Sequence, residues 1–221
     1  FSAMSHPVHV RAIMALAAEK RWHTNQIDIK TAYLHGELEE EMYLTPPPGL
    51  EHLGEPGKVM RLRKAVYGLS QGGRVLWKKV NQTMLDFGCK AASEDECVFV
   101  YKRGGSTLII ATVVDDMIQV SDSQELINEF NEHIKKSFII TDNGPIKFFL
   151  CVHFKPHLDG GFLANQTAQI ERMLANFGVT DESETNNTPM LKGFTVSESD
   201  LSENPDSLLV TRCKSILGSL T

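Results

Sequence analysis

The chain has 221 residues, enough for one domain or one and a half, with 42% hydrophobic and 23% charged residues, an ordinary globular balance that allows a sizeable core. A net charge of −6 does not by itself suggest a nucleic-acid binder. The longest apolar run, Leu108 to Val114, is far short of the ~20 residues of a membrane span, so no membrane partner is expected.

Taken in chain order, Val10, Ile13, Met14 and Ala17 recur at helical spacing, which predicts a helix over 7–20 with Ser5 as its cap and Pro7 in its first turn. Residues 22–29 read as a short strand ending at an aspartate, and Pro46-Pro47-Pro48-Gly49 as a loop. Residues 74–87 read as a helix closed by Gly88. Two β-rich runs, 97–102 and 107–114, flank Arg103-Gly104-Gly105-Ser106, a hairpin signal, and a second reversal at Asp115-Asp116 leads into Met117–Val120. A helix over 123–137, a strand over 147–154, a helix over 166–177 and an irregular polar stretch over 182–206 complete the pattern. There is no internal repeat and no low-complexity tract. The mixed order predicts an α+β fold with helices on one face of an antiparallel sheet.

Cys89, Cys97, Cys151 and Cys213 form no CxxC pair and complete no zinc spacing with histidine, so they read as reduced thiols of an intracellular protein. Between Lys58 and Lys79 there are seven basic residues and no acidic one: Lys58, Arg61, Arg63, Lys64, Arg74, Lys78 and Lys79. Such a block can track a phosphate backbone or simply form a solvated helix face, and charge alone does not separate the two.

Two adjacent carboxylates, Asp115 and Asp116, fall at the tip of an apolar hairpin. Unit charges ~4 Å apart repel by ~4 kcal/mol at an effective dielectric near 20, and Asn-Gly would turn the chain without that penalty. A divalent cation would offset the repulsion. Asp28 ends another strand, and if the strands are neighbours three carboxylates converge, as two-metal phosphoryl transfer requires. A plain polar turn and a strand terminus explain the same residues.

The wording of the motifs is more specific. Gln26-Ile27-Asp28-Ile29-Lys30-Thr31-Ala32-Tyr33-Leu34-His35-Gly36 resembles the first catalytic block of copia-type retrotransposon reverse transcriptases. Pro47-Pro48-Gly49 and Arg61-Leu62-Arg63-Lys64-Ala65-Val66-Tyr67-Gly68-Leu69-Ser70-Gln71 follow in the family's order. Val113 to Asp116 matches its Tyr-Val-Asp-Asp turn, and Asn143 to Leu150 its primer-grip block. Thr188-Pro189-Met190 and Arg212 to Leu220 resemble thumb-side blocks.

The resemblance implies a right-hand polymerase palm with a ferredoxin-like sheet and partial fingers over 1–158, and the start of the thumb or connection over 159–221. It implies an RNA-directed DNA polymerase domain of a polyprotein. Asp28, Asp115 and Asp116 would be the catalytic and metal-binding residues, holding two Mg2+ ions, with Mn2+ as an alternative. Tyr33 would stack under the incoming sugar and exclude a 2′-hydroxyl; Gln71 and Arg74 would contact the nucleotide. Lys78, Lys79, Phe149 and Leu150 would meet nucleic acid. The implied partners are an RNA or DNA template with primer, deoxynucleoside triphosphates, and the integrase and ribonuclease H of the parent polyprotein. The implied setting is cytoplasmic, in a virus-like particle, and also nuclear.

The chain departs from the family at four places. Val113 replaces an aromatic, Ser70-Gln71-Gly72-Gly73-Arg74 replaces Lys-Gln-Ala-Pro-Arg, Cys151 replaces a glycine and Asn143 a leucine. Such losses fit a decaying element, so the competing expectation is a non-catalytic remnant that binds nucleic acid or protein. A third, an unrelated ferredoxin-like binding module, requires five ordered blocks to coincide by chance. The chain opens on Phe1 and stops within a helical pattern, so both ends are expected to continue in a longer protein and the isolated chain to be nearly inactive.

Overall fold

A computed structural model describes residues 4–49, 59–180, 183, 197 and 206–220. Helix α1 (Pro7–Lys20) buries Val10, Ile13, Met14 and Ala17, the four residues whose spacing predicts it. Its cap is not Ser5. The ring nitrogen of His6 accepts the Val8 N–H at 3.3 Å, while the Ser5 hydroxyl donates to Asp95 at 2.9 Å. Asp95 also accepts from the His6 N–H at 3.0 Å and lies 2.7 Å from the His9 ring nitrogen, so one carboxylate fastens the start of α1.

After β1 (His23–Ile29) comes a 3₁₀ turn (Ala32–His35), then a hairpin of β2 (Glu37–Leu44) and β3 (Met60–Lys64) that forms its own two-stranded sheet. Helix α2 (Gly72–Phe87) ends at Gly88, whose φ of 97° supplies the left-handed cap that glycine adopts without strain. Next come β4 (Lys90–Ala91), β5 (Val98–Arg103), β6 (Ser106–Val113), β7 (Asp116–Ser121), α3 (Gln124–Ile134) and β8 (Ile140–Asp142). The main sheet runs β4-β5-β6-β7-β1-β8, with every neighbouring pair antiparallel. The hairpin expected around Gly104-Gly105 is β5–β6, paired from Val98↔Ala111 to Arg103↔Ser106.

Strand alternation sends Ile27, Ile29, Leu108, Ile110 and Met117 to one face, where α2 and α3 cover them with Leu76, Val80, Met84, Leu126, Phe130 and Ile134. Ala111, Val113, Ile118 and Val120 face the other way and pack against α1. The fold is therefore mixed α and β around antiparallel sheets, but the helices are not confined to one face. The apolar stripe of α1 has to be buried, and the second face of β6 and β7 is itself apolar, so each covers the other.

The apolar stretch 147–154 is not one strand. It folds into β9 (Phe148–Phe149) and β10 (Val152–Pro156), paired at Val152↔Phe149, with β11 (Phe162–Asn165) completing a three-stranded sheet. The chain divides into two units, residues 1–164 and 165–221. In the second, α4 (Thr167–Phe177) and α5 (Ser207–Leu220) are joined by the Arg212 guanidinium, which donates to the Phe177 carbonyl at 3.0 Å. Apart from Ser183, Ser197 and Asp206, the stretch 182–206 lies outside the described residues, as do Lys58 and Thr188-Pro189-Met190.

Candidate active site

Asp28 is the penultimate residue of β1, and Asp116 opens β7; the ladder pairs them directly. Because cross-strand partners share a face, their side chains leave the sheet on the same side, along with that of Gln26 two residues before Asp28. Val113 pairs with Asp116, leaving Val114 and Asp115 as a two-residue turn. The Asp115 carbonyl accepts the Ile29 N–H at 2.8 Å, so this turn is also tied to β1. Val114 has φ of 56°, a conformation that a β-branched residue adopts only when its surroundings impose it. Here the imposing parts are ladders on both sides and the core beneath Val114.

The register behind this edge is held by a buried polar chain. Gln119 is fully buried, accepts from the Asn25 amide at 3.1 Å and donates to Asn131 of α3 at 2.7 Å. Asn131 in turn donates to Asp142 of β8 at 3.0 Å. These groups link β1, β7, β8 and α3, and each would be costly to leave unpaired.

The electrostatics show that the three carboxylates sense one another. Partial burial, then the charge of Asp115, raises the Asp28 carboxyl above its ordinary value, with Lys30 opposing. Asp116 is raised by burial, with the charges of Asp115 and Asp28 adding and a 3.5 Å hydrogen bond from the Gln26 amide opposing. Asp115 accepts from the Tyr67 hydroxyl at 3.3 Å. No ion pair reaches any of the three among the described residues. Nor, among those residues, does any set of three His, Cys, Asp or Glu side chains stand ready to hold a metal ion. The donor set nevertheless suits a hard divalent cation: carboxylate oxygens at one sheet edge, those of Asp28 and Asp116 raised first by burial and then by neighbouring carboxylate charge, with neutral hydrogen-bond donors from Gln26 and Tyr67.

Tyr33 stands in the 3₁₀ turn after Thr31, and its ring lies 4.4 Å from that of Tyr67. Gln71 holds the N-cap position of α2 without a side-chain capping bond and donates to Glu40 at 3.3 Å; Arg74, exposed in the first turn, lies near Glu39. Lys78 forms an ion pair with Glu39, and Arg61 with Glu41 at 2.8 Å. Much of the basic block thus faces the acidic strand β2. Lys79 turns inward: its ammonium donates to the His35 carbonyl at 3.1 Å and sits 5.4 Å from the centre of the Phe138 ring. These contacts pack its stem and charge between α2, the 3₁₀ turn and Phe138.

Phe149 is 2% exposed and packs in the core with Ile146 and Phe154. Alternation turns Phe148 outward instead, at 50% exposure. Leu150 is partly exposed in the β9–β10 turn, and both turn residues have positive φ, 47° at Leu150 and 62° at Cys151. Val113, where the motif has an aromatic, is buried against α1. A concavity of about 570 Å³ lies on the β2–β3 hairpin, lined by Leu38, Glu39, Glu40, Glu41, Arg61, Leu62 and Arg63; none of the three aspartates lines it.

Two site residues escaped the reading of the sequence. Gln26 was legible, because it lies two positions from Asp28 on one strand and so shares its face. Tyr67 sits inside a recognised block, but its reach to Asp115 spans 48 residues and carries no local signal.

Residues 1–192 match the family model described as reverse transcriptase (RNA-dependent DNA polymerase). Among curated proteins, the chain is similar to the retrovirus-related Pol polyprotein from transposon TNT 1-94 of Nicotiana tabacum, 33% identical over 81% of this chain and 14% of that protein. It is 28% identical to the corresponding polyprotein of transposon RE1 of Arabidopsis thaliana, over 70% of this chain and 11% of the relative. With the transposon Ty1-BL Gag-Pol polyprotein of Saccharomyces cerevisiae it shares 36% identity over 53% of the chain and 6% of the relative. The chain therefore spans a small part of each relative's length, and it belongs to the copia-type reverse transcriptase family.

Proposed function

We propose that this chain is the palm, with partial fingers and the start of a thumb, of an RNA-directed DNA polymerase within a retrotransposon polyprotein. The observation that carries the reading is the register Asp28↔Asp116 with Asp115 in the adjoining turn. It supports a shared edge where Asp28 and Asp115 hold divalent cations and Asp116 completes the acidic set. Bound magnesium, or manganese in its place, would supply an activated primer hydroxyl and offset charge on the leaving oxygen.

The chain's own residues then have distinct tasks. The strained Val114 turn, tied to Ile29, fixes Asp115 relative to Asp28. Tyr33 provides the ring that faces the nucleotide sugar, the position from which a 2′-hydroxyl is sensed. Gln71 and Arg74 stand at the start of α2 against β2 and are suited to a sugar or phosphate edge once freed from it. Lys78, exposed and only surface-paired, remains a candidate phosphate contact, and Phe148 and Leu150 offer an apolar edge to a primer. Template, primer, deoxynucleoside triphosphates and the polyprotein's integrase and ribonuclease H are the partners, in the cytoplasm, within a virus-like particle, or in the nucleus. No described helix is long and apolar enough to cross a membrane.

The test is primer extension on an RNA template by a complete relative's polyprotein carrying this segment. Extension should be measurable and Asp115→Asn should reduce it by at least ~10³-fold, the scale of losing a positioned electrostatic group. Undiminished extension by Asp115→Asn would reject the assignment. The strained Leu150–Cys151 turn favours one second reading, a decayed copy that binds template–primer without extending it. In that case the grafted segment would retain duplex binding and show no extension.

A further inference from the structure

Gly72, the first residue of α2, occupies a place where the family pattern has alanine, and its surroundings give that departure a consequence. A Cβ on Gly72 would lie 2.8 Å from Tyr33 Cδ1, 3.2 Å from Tyr33 Cε1 and 3.3 Å from the Val66 carbonyl oxygen. The Tyr33 ring thus fills the volume an alanine methyl would need. Ordinary carbon–carbon contact begins near ~3.5 Å, so an alanine would displace the ring by on the order of 0.7 Å.

The backbone around it has little room to yield. The Val66 carbonyl is engaged by the Leu69 N–H at 3.3 Å, and the Leu69 carbonyl by the Gly72 N–H at 3.0 Å. The turn bearing Tyr33 is clamped as well: Ala32 is fully buried, and at Gly36 even a Cβ would lie 2.8 Å from Val75 Cγ1. The mobile element is the ring. Beside it lies Tyr67, 62% exposed, its ring centre 4.4 Å away and its hydroxyl donating to Asp115 at 3.3 Å. A methyl at position 72 would therefore drive Tyr33 toward Tyr67 and the carboxylates, and glycine lets it withdraw against α2.

We propose that Gly72 is a specificity-determining residue that retracts the Tyr33 ring and widens the space beside the nucleotide sugar, so that this chain tolerates a 2′-hydroxyl that an alanine at 72 would exclude. This rests on Tyr33 being the sugar-facing ring. The test uses the full chain with calcium, which supports binding without turnover, and the matched pair dCTP and CTP, which differ at one oxygen. Their dissociation constants are measured by calorimetry for the wild type, Gly72→Ala, Tyr33→Ala and the double variant. The wild-type ratio should be within a few-fold of one, and Gly72→Ala should raise it roughly tenfold by weakening CTP alone. Tyr33→Ala should return the double variant to a ratio near one. The unfolding midpoint gives a second readout: Gly72→Ala should lower it when Tyr33 is present and not when Tyr33 is alanine. An unchanged ratio in Gly72→Ala, with both nucleotides still bound, would overturn the role of Gly72. A ratio raised by Gly72→Ala that persists in the double variant, or no nucleotide binding by the wild type, would instead overturn the reading of the site on which it rests.

Discussion

Replacing Cys151 by glycine should stabilise the chain. The β9–β10 connection is a two-residue loop, Phe149↔Val152 being the last pair, and Leu150 and Cys151 have φ of 47° and 62°. Two-residue hairpins with positive φ at both positions favour Asn-Gly, because a Cβ in the left-handed region crowds the following carbonyl at roughly 1–2 kcal/mol per residue. Removing that strain at Cys151 is opposed by the greater freedom of glycine in the unfolded chain, roughly 0.5–1 kcal/mol. The thiol is half-buried and makes no hydrogen bond among the described residues, so little packing is lost. The net expectation is a gain of up to about 1 kcal/mol, or about 2–4 °C in Tm for a chain of this size. Thermal and urea unfolding of wild type, Cys151→Gly and Cys151→Ala measure it. Alanine keeps the Cβ and should give no gain, which separates backbone relief from loss of the thiol. A Cys151→Gly chain less stable than Cys151→Ala would refute the argument from backbone conformation.

Three further outcomes follow from other parts of the structure. Asp28 and Asp116 have folded carboxyls held above the ordinary 3.8, so without cations their contribution is fully present below pH 3.8 and is lost as pH rises through the raised folded values. Asp116→Asn should flatten that fall in unfolding titrations, and a slope identical to wild type would show that Asp116 is not raised. Lys79→Ala should destabilise by about 1–2 kcal/mol through its part-buried packing, whereas Lys78→Ala should cost under about 1 kcal/mol yet reduce the salt dependence of template–primer binding; the reverse pattern in unfolding and binding titrations would exchange their roles. Gln119→Met should cost roughly 1–3 kcal/mol in urea unfolding, since it strands the Asn25 and Asn131 amides, and a neutral effect would mean that the polar chain does not hold the register.

How much of this could be read beforehand depends on where the determining contact lies. Helix α1, strand β1 and the β5–β6 hairpin are written in local periodicity and turn residues and form where that pattern places them, whereas the reversal expected at Asp115-Asp116 falls one residue earlier, at Val114-Asp115, with Asp116 opening β7. The hairpin β2–β3 was missed because Glu37–Leu44 has a run of three glutamates and a bulge in register between Glu37 and Met42, so no alternation marks it. The stretch 147–154 was read as one strand because its apolar content conceals a turn at Leu150–Cys151, which neither residue type announces. Phe149, a nucleic-acid contact only by the resemblance, is buried by alternation from the turn at 150–151, which exposes Phe148 instead. At the site, local pattern was enough to put Asp28 at the end of a strand and Asp115 at a reversal, and it left open whether the two strands are neighbours. The direct pairing of Asp28 with Asp116, and the Tyr67 bond to Asp115, depend on tertiary packing that no single segment encodes.

The central claim is that the sheet edge formed by Asp28, Asp115 and Asp116 is a divalent-cation site, and the most direct measurement is manganese binding to the full chain by electron paramagnetic resonance, paired with unfolding at increasing magnesium. The wild type should bind manganese, and magnesium at ten times its dissociation constant should stabilise it by about 1.4 kcal/mol, as mass action requires for a ligand of the folded state alone. Asp115→Asn and Asp28→Asn should each lose the binding and the stabilisation while remaining folded. Manganese binding that survives Asp28→Asn and Asp115→Asn together would contradict the account.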